Sequence, residues 1–473
     1  MRKTKIVCTL GPACSDRHTI KAMVEAGMDV ARLNFSHENG EAHLKRINLI
    51  REVSTELNRP IAILQDLQGP KIRVGEMVDD VVLQAGEKTS IVIEEVVGTA
   101  AKFSSTYQGL AGDVKEGDPI LINDGLIKLQ VDRIADNTIY ATVIYGGSLK
   151  SHKGINLSQS SISTPTLTEK DIQDLKLGLA QEVDYVALSF VQEPGELKRL
   201  KDMMAGQDKK IHVVAKVERH EALDELEGIV AAADVIMVAR GDLGVEIPLE
   251  QVPLIQKRLI QTCHEHLKPA IVATQMLESM IQNPQPTRAE VSDIANAIWD
   301  GADAIMLSGE TAIGRYPVEA VKTMARIAQT VEADLASFPH YIDGAVKENH
   351  TPSAVGHAAC QLADNLKARA IICFTQNGFT ARILSKYRQP IPIIAVTTTE
   401  SVQRRLALYW GVQSLLLQEV SNTDEMIARV EQAAVDRGLV STGDMVVITA
   451  GLPLAITGIA NLIKAHRIGE PVL

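Results

Sequence analysis

Charged side chains stand at the ends of two neighbouring apolar runs in the middle of this sequence. Lys216 and Glu218 close the run that begins at Ile211, and Asp242 follows the next run. Two positions apart on an extended segment, Lys216 and Glu218 point to the same side. Carboxylate oxygens such as those of Glu218 and Asp242 are ligands that Mg²⁺ takes, beside water and substrate oxygens. An ammonium and a metal-binding carboxylate directed at one place suit phosphoryl transfer, which depends mainly on positioning and charge stabilisation.

Polar residues also end the other apolar runs and form a candidate ring around one site. The further ring members are Arg32, Asn34, Ser36, Asp66, Lys71, Arg73, Ser189, Arg240, Thr274, Gln275, Ser308 and Glu310. The arginines, together with Lys216, suit a multiply charged anion such as a phosphate, and the glycine-rich turn at 240–244 could present N–H groups to it. Structural alternatives stay open, because an isolated Lys–Glu pair is commonly a surface ion pair and Arg240 could neutralise neighbouring carboxylates. Thr274 and Ser308 could only cap helices.

Eight short apolar runs, separated by helical patterns, must position these residues. The runs are 4–9, 29–34, 61–66, 184–190, 211–217, 234–239, 269–274 and 303–308. The helical patterns are 17–26, 42–57, 169–180, 194–204, 221–231, 254–265, 288–299 and 318–332. Continuous Val, Ile, Leu and Ala are typical of strands covered on both faces, and eight such units predict a closed (β/α)₈ barrel. An open doubly wound sheet is the alternative. In a barrel, the polar run ends meet at the mouth where such enzymes place their active sites.

Two further domains are predicted. Far more residues than one helix needs separate the third run from the fourth, and short β-like runs with turn sequences fill the interval. We expect 71–163 to be an inserted small β-barrel domain that acts as a lid. The barrel then comprises 1–70 and 164–341, and 342–473 forms a C-terminal α/β domain.

The composition excludes several classes of protein. The chain has 473 residues, a formal net charge of −11 and only 3% aromatic residues. The acidic balance argues against a general nucleic-acid surface, and no apolar run is long enough to predict a membrane span. Five cysteines without CxxC spacing, and a start without a leader pattern, indicate a reducing compartment. We therefore expect a cytoplasmic protein with neither nucleic-acid nor membrane partners.

Seven segments resemble motifs of the pyruvate kinase family. They are 31–37, 66–73, 215–218, 237–248, 273–280, 283–290 and 306–312. The motifs occur in the family's order, and the resemblance covers the whole chain. It implies the three-domain fold, transfer of the phosphoryl group of phosphoenolpyruvate to ADP to give pyruvate and ATP in the last step of glycolysis, and allosteric regulation through the C-terminal domain.

The resemblance also implies roles for the residues that bind phosphoenolpyruvate. Glu218 and Asp242 would bind the catalytic Mg²⁺. Lys216 would stabilise the phosphoryl group in flight and the developing enolate. Arg32 and Arg73 would bind phosphate groups. Thr274 and the backbone at Gly241 and Asp242 would help seat the pyruvate carboxylate.

Further implied roles concern the nucleotide and the proton. A second Mg²⁺ would arrive with ADP, whose contacts would be His37, Arg73, Lys153 and Asn156. Thr274, Ser308 and Glu310 would lie on the route of the proton to the enolate methylene, with its donor left open.

Lys71 departs from many family members. Those members require K⁺ and have Glu where this chain has Lys71. Their K⁺ positions match Asn34, Ser36, Asp66 and the carbonyl of Leu67. A fixed ammonium could supply the charge that K⁺ gives elsewhere, so we expect that K⁺ is not required. The alternative is that Lys71 only pairs with Asp66 or Glu76 and K⁺ still binds.

Two smaller departures lie in the lid. Asn123 stands where the family often has Asp, and Ser158 and Gln159 stand where it has Pro-Gly. These changes concern the lid contacts and not the reaction.

In the family, the C-terminal domain binds an activating phosphate ester. Thr375, Asn377, Gly378 and Thr380 follow a predicted strand and resemble the family's phosphate loop, although a plain βα turn is the alternative. The loop at 450–456 lacks a basic residue, so a sugar or nucleotide monophosphate is expected rather than a bisphosphate. The resemblance also implies a homotetramer.

Two other functions compete with this one. An aldolase or lyase that acts on an enolate would need Mg²⁺ but neither ADP nor a hinged lid. A degenerate sensor would use only the C-terminal domain, and the complete polar ring argues against it.

Overall fold

The alternation predicted for the start of the chain is present in the computed structural model, which describes residues 2–79, 81–157, 164–206, 210–334, 351–418, 423–451 and 460–471. The first elements are β1 (Lys5–Leu10), α1 (Arg17–Ala26), β2 (Val30–Asn34), α2 (Gly40–Glu56) and β3 (Ala62–Asp66). Both helices begin where the sequence supplies a cap. Asp16 accepts the Thr19 N–H at 2.9 Å and Asn39 accepts the Ala42 N–H at 3.0 Å, which satisfies donors that have no partner inside the helix.

The insertion after β3 consists of short strands, as predicted. Its elements are β4 (Val82–Leu83), β5 (Lys88–Val92), β6 (Lys102–Ser104), α3 (Leu110–Asp113), β7 (Pro119–Ile122), β8 (Ile127–Ala135), β9 (Thr138–Tyr145), β10 (Gly147–Ser148) and β11 (Ile155–Asn156). Six strands form one sheet in the order β11-β7-β8-β9-β5-β6. Bridges Arg73–Gly154 and Val74–Ser105 connect the segment after β3 to both edges of this sheet, so that it curls into a small barrel. Ser158 and Gln159 lie outside the described residues.

The remaining barrel units follow the insertion. They are α4 (Glu169–Ala180), β12 (Tyr185–Leu188), α5 (Pro194–Met203), β13 (His212–Val217), α6 (Glu221–Asp224), α7 (Leu226–Ala232), β14 (Val235–Ala239), α8 (Arg240–Glu246), α9 (Val252–Glu265), β15 (Ala270–Ala273), α10 (Arg288–Trp299), β16 (Ala304–Leu307), α11 (Gly309–Ala312) and α12 (Pro317–Ala333). The eight parallel strands close in the order β1-β16-β15-β14-β13-β12-β3-β2, which excludes the open sheet. The single helix predicted over 221–231 is two helices, α6 and α7.

An aspartate precedes every second strand of the ring and binds the strand before it. The contacts are Asp29 to the N–H of Ile6 (2.9 Å), Asp184 to Ile63 (2.8 Å), Asp234 to Val213 (2.9 Å) and Asp303 to Ala270 (2.8 Å). These four carboxylates lie at the N-terminal end of the barrel, opposite the mouth. Each one satisfies a buried backbone donor near a strand start.

The C-terminal domain is an α/β unit, as predicted. Its elements are α13 (Thr351–Asn365), β17 (Ala370–Phe374), α14 (Phe379–Lys386), β18 (Ile393–Thr397), α15 (Glu400–Arg405), β19 (Val412–Leu416), α16 (Thr423–Asp436), β20 (Met445–Ala450) and β21 (Leu462–Arg467). The sheet order is β19-β18-β17-β20-β21, with β21 antiparallel at one edge. Strand β21 was not predicted. The domain packs on the N-terminal end of the barrel, where the Tyr185 hydroxyl donates to the Arg405 carbonyl at 2.7 Å.

Candidate active site

A buried ionic network occupies the C-terminal ends of β2, β3 and β13. Lys216 Nζ lies 3.3 Å from Asp66 Oδ1, 3.0 Å from Glu218 Oε1 and 2.7 Å from Ser189 Oγ. Arg32 Nη2 and Nε lie 2.6 and 2.7 Å from Asp66 Oδ2. Of the charged side chains predicted to converge, Lys216 is therefore in direct contact with Asp66 and Glu218, and Arg32 with Asp66.

The pKa values in this network are set by burial and by neighbouring charges. Burial alone would lower the pKa of Lys216, but Asp66 and Glu218 outweigh it and raise this pKa to about 12. Burial raises the pKa of Glu218 to about 7, with Asp242 adding to the rise against the lowering effect of Lys216. The negative charge of Asp242 disfavours ionisation of the buried Glu218, and a cation bound to both carboxylates would offset that effect. The donor set of Glu218 and Asp242 therefore fits a divalent metal ion.

Ser189 had no predicted role beyond its place in the ring, and it connects two strand ends. Its hydroxyl accepts from Lys216 and donates to the Leu67 carbonyl at 2.8 Å. The next residue, Phe190, has a φ of 57° and donates its N–H to Glu218 Oε2 at 2.8 Å. This turn therefore orients Lys216 at the end of β13 and Glu218 directly after it. The sequence does point to this residue, because Ser189 is a polar residue near the end of the fourth apolar run, 184–190.

Thr274 and Gly241 meet across the ends of β14 and β15. The Gly241 N–H donates to Thr274 Oγ1 at 2.7 Å, and this hydroxyl donates to the Ala273 carbonyl at 2.6 Å. The neighbouring Arg240 pairs with Asp293 at 2.7 Å and donates to the Thr274 carbonyl at 2.7 Å. Arg240 is thus bound to protein groups. This favours a structural role for Arg240, the alternative given above, over the binding of an anion.

Glu310 connects the loops that follow β15 and β16. Its Oε1 accepts the Leu277 N–H at 3.0 Å and its Oε2 accepts the Ser308 N–H at 2.7 Å. The carboxylate is fully buried. Ser308 precedes α11, but its side chain makes no capping hydrogen bond in the part of the chain described. Glu310 therefore fixes the loops that carry Thr274 and Ser308 relative to each other.

A cleft of about 670 Å³ lies between the barrel mouth and the inserted domain. Among its lining residues are His37, Lys71, Arg73, Lys153, Asn156 and Asp242. The four residues predicted to contact the nucleotide thus share one cleft with a predicted metal ligand. Burial and the nearby Arg73 and Lys71 lower the pKa of His37, which indicates a positive potential suited to phosphates.

The residues at the positions matching the family's K⁺ site follow or end the adjacent strands β2 and β3. They are Asn34, Ser36, Asp66 and Leu67. Lys71 is exposed and forms no ion pair with any residue that the structure describes. The partners considered for it are engaged elsewhere, since Asp66 belongs to the buried network and Glu76 pairs with His152 at 3.1 Å.

One cluster beside the cleft was not predicted. His220 Nδ1 lies 3.2 Å from Glu221 and 3.4 Å from Glu246, and Arg219 pairs with Glu221 at 2.8 Å. The side chains of His220, Glu221 and Glu246 have ligand-type atoms within 4.8 Å of one another. Arg219 supplies a positive charge to the two carboxylates, so the cluster has the character of an ion-pair group.

The predicted phosphate loop lies between β17 and α14. Thr375 Oγ1 accepts the Gly378 N–H at 2.9 Å, and Asn377 Oδ1 accepts the Phe379 N–H at 3.0 Å. Side chains of the loop itself therefore bind two N–H groups at the helix start, and Thr380 is buried in the first turn. Most of the loop at 450–456 lies outside the described residues.

The fold is a closed (β/α)₈ barrel with an inserted β domain beside a mouth that carries cations and carboxylates. This arrangement is typical of barrel enzymes that act on anionic substrates. Comparisons with known proteins give its family. The sequence model of the pyruvate kinase barrel domain matches residues 1–321, and that of the pyruvate kinase alpha/beta domain matches residues 353–466.

Pyruvate kinases from two Staphylococcus aureus strains, MRSA252 and USA300, are each 45% identical over 477 residues, spanning 100% of this chain and 81% of the relative. The crystal structure of a pyruvate kinase from Cryptosporidium parvum matches with a TM-score of 0.91 at 34% identity, covering 99% of this chain and 96% of that one. The chain belongs to the pyruvate kinase family.

Its reaction is that of the family: the phosphoryl group of phosphoenolpyruvate passes to ADP in the final step of glycolysis. The family uses a divalent metal ion, generally Mg²⁺. Among the described residues, no helix combines the length and apolar character needed to cross a bilayer.

Proposed function

We propose that Lys216, Arg32 and Arg73 are the anion-binding residues of the transfer. The raised pKa of Lys216 keeps its ammonium charged at neutral pH, ready to stabilise the phosphoryl group in flight and the developing enolate. Asp66 and Ser189 orient that ammonium. Arg32 and Arg73 bind phosphate groups from two sides, one in the barrel network and one in the cleft.

Glu218 and Asp242 hold the catalytic Mg²⁺ in this proposal, and a second Mg²⁺ arrives with ADP. The bound metal supplies positive charge to the oxygens of the reacting groups. The raised pKa of Glu218 beside Asp242 supports this assignment, because that pair of carboxylates suits a cation.

Thr274 and the backbone at Gly241 and Asp242 seat the pyruvate carboxylate. The contact between the Gly241 N–H and the Thr274 hydroxyl supports this, since it sets both groups at one place. Both donors, directed at Thr274 and Ala273 in this structure, would turn to the carboxylate when it binds. Thr274 and Ser308 lie on the proton route to the enolate methylene. Glu310 serves that route by binding the backbone of both loops.

The inserted domain, 71–163, closes over the barrel of 1–70 and 164–341 and excludes water from the transferred group. His37, Arg73, Lys153 and Asn156 contact the nucleotide, an assignment supported by the cleft that they share.

Lys71 replaces the charge that K⁺ supplies in other family members, so the enzyme works without K⁺. Its freedom from ion pairs within the described part of the chain supports this assignment, because an ammonium paired with a carboxylate would add little net charge.

The C-terminal domain, 342–473, binds a sugar or nucleotide monophosphate at Thr375, Asn377, Gly378 and Thr380 and regulates the enzyme. The assembly is a homotetramer, and it works in the cytoplasm with small-molecule substrates.

The contact of Lys216 with both Asp66 and Glu218 is the observation that carries the proposal. A coupled assay with phosphoenolpyruvate, ADP and Mg²⁺, following pyruvate, tests it. Pyruvate should form only when ADP and Mg²⁺ are both present. Pyruvate released without ADP would favour an aldolase or lyase, and no turnover would favour a sensor.

A further inference from the structure

Thr274 sits in a backbone conformation that the sequence alone disfavours. Its φ is 71° and that of Gln275 is 53°, so two consecutive residues other than glycine occupy the left-handed region. A β-branched residue such as Thr274 rarely adopts this conformation, and the surrounding structure must enforce it. Something outside β15 therefore holds the end of this strand.

The guanidinium of Arg240 is the group that binds this strand end. Its Nη2 donates to the Thr274 carbonyl at 2.7 Å and its Nε to the Ala273 carbonyl at 3.3 Å. On its other side, Nη1 lies 2.7 Å from Asp293 Oδ1 and 3.4 Å from Gln256 Oε1. The planar fork of an arginine can serve these positions at once, whereas a lysine ammonium cannot.

The residue after Arg240 binds the same threonine from a second direction. The Gly241 N–H donates to Thr274 Oγ1, and the hydroxyl donates to Ala273. Two consecutive residues of α8 therefore bind Thr274: Arg240 donates to its carbonyl and Gly241 to its hydroxyl. A shift of the Arg240 side chain would release the carbonyl and change where the hydroxyl points.

We infer that Arg240 is a positioning residue for the transfer, which keeps the Thr274 hydroxyl in place at the substrate through its bonds to the end of β15. The inference rests on the proposed role of Thr274 in seating the pyruvate carboxylate. Arg240 itself does not touch substrate in this account, because its donors are directed at protein groups. These acceptors are on Ala273, Thr274, Asp293, Gln256 and Met276.

Steady-state kinetics of Arg240→Gln, Thr274→Ala and the double variant test the inference. Misplacement of a reacting group by about 1 Å costs on the order of a hundredfold, so we expect kcat of Arg240→Gln to fall about tenfold to a hundredfold while the KM for phosphoenolpyruvate changes less than about threefold. Arg240→Lys should stay impaired, because it keeps the charge opposite Asp293 but loses the bonds to the carbonyls. Recovery of the wild-type kcat by Arg240→Lys would overturn the inference.

The double variant separates positioning from general destabilisation. If Arg240 acts through Thr274, the double variant should be about as slow as Thr274→Ala alone, whereas multiplied losses would contradict the inference. Arg51→Gln is the matched control, since Arg51 also binds two carbonyls, of Ile61 and Glu182, and one aspartate, but at the opposite end of the barrel. It should lower the thermal midpoint and leave kcat within about twofold, as expected for a purely structural arginine.

The remaining outcomes distinguish the two proposals. A Thr274→Ala enzyme with normal kcat would show that the role proposed for Thr274 is wrong. A slow Thr274→Ala enzyme beside a normal Arg240→Gln enzyme would show that only the positioning role is wrong. If Arg240→Gln fails to fold, Asp293→Asn can replace it, because that variant weakens the ion pair that holds Arg240. Combined with Thr274→Ala, it should lower kcat no further than Thr274→Ala does alone.

Discussion

The ammonium of Lys386 lies 2.6 Å from the carboxylate of Asp303, and this buried contact joins the C-terminal domain to the start of barrel strand β16. Arg388 approaches the other carboxylate oxygen at 3.2 Å. Across the barrel, Arg404 lies 2.8 Å from Asp184, which precedes β12. Strands β12 and β16 are four places apart in a ring of eight. Two of the four aspartates that precede barrel strands therefore also bind the C-terminal domain, on opposite sides of the barrel.

Replacing Asp303 should weaken this docking strongly. Asp303→Asn leaves Lys386 and Arg388 buried without a full counter-charge, and breaking such a pair costs about 3–5 kcal/mol. We expect urea unfolding at pH 7 and fixed protein concentration to show that loss. Glu41→Gln, which removes an exposed pair with Lys45, is the control and should cost less than about 1 kcal/mol. Equal unfolding midpoints for Asp303→Asn and wild type would refute a stabilising role for the contact.

Acid should remove part of this contribution. Burial alone would raise the pKa of Asp303, but Arg388 and Lys386 outweigh it and lower this pKa from its ordinary 3.8 to about 2. The folded-state pKa lies below the unfolded one, so the stabilisation is complete above about pH 4 and is lost as the pH falls through 2. The shift corresponds to roughly 2 kcal/mol. The difference in unfolding free energy between wild type and Asp303→Asn should therefore shrink between pH 5 and pH 2.5, and a constant difference would contradict the assignment.

The sequence predicted those parts of the site that follow from period and spacing. Lys216 and Glu218 share a side because a strand alternates with a period of two, and the run ends meet because parallel strands close into a barrel. Arg240 could not be assigned in this way, since its direction depends on a side-chain conformation and on the left-handed turn at Thr274. The bonds of Asp303 and its equivalents depend on strand register, which the apolar pattern does not specify.

Removing the central ammonium or carboxylate should abolish turnover without unfolding the enzyme. Lys216→Met and Glu218→Ala each remove charge that the transition state needs, and we expect kcat to fall at least about a thousandfold. Lys88→Met, which breaks an exposed ion pair in the inserted domain, should retain kcat. Circular dichroism checks the fold, and a Mg²⁺ titration should show a raised metal requirement for Glu218→Ala alone. Near wild-type turnover in either variant would show that its assigned role is wrong.

Replacing K⁺ by tetramethylammonium should change the rate little. In the role proposed for it, the exposed Lys71, with no ion pair among the described residues, supplies the positive charge beside the cleft, so added K⁺ should contribute little. A hundredfold drop, about 2.7 kcal/mol of lost transition-state stabilisation, would show that K⁺ is needed after all.

The charge of Lys71 can be tested directly by reversing it. Lys71→Glu restores the residue of the K⁺-requiring members, so turnover in tetramethylammonium should fall about tenfold or more and should recover when K⁺ is added. Lys150→Glu reverses an exposed lysine of the same inserted domain and controls for net charge. If both variants lose activity equally, or if K⁺ fails to rescue Lys71→Glu, the ammonium of Lys71 does not take the place of the metal ion. If added K⁺ restores turnover in Lys71→Glu and not in Lys150→Glu, the ammonium of Lys71 is the group that takes the place of K⁺.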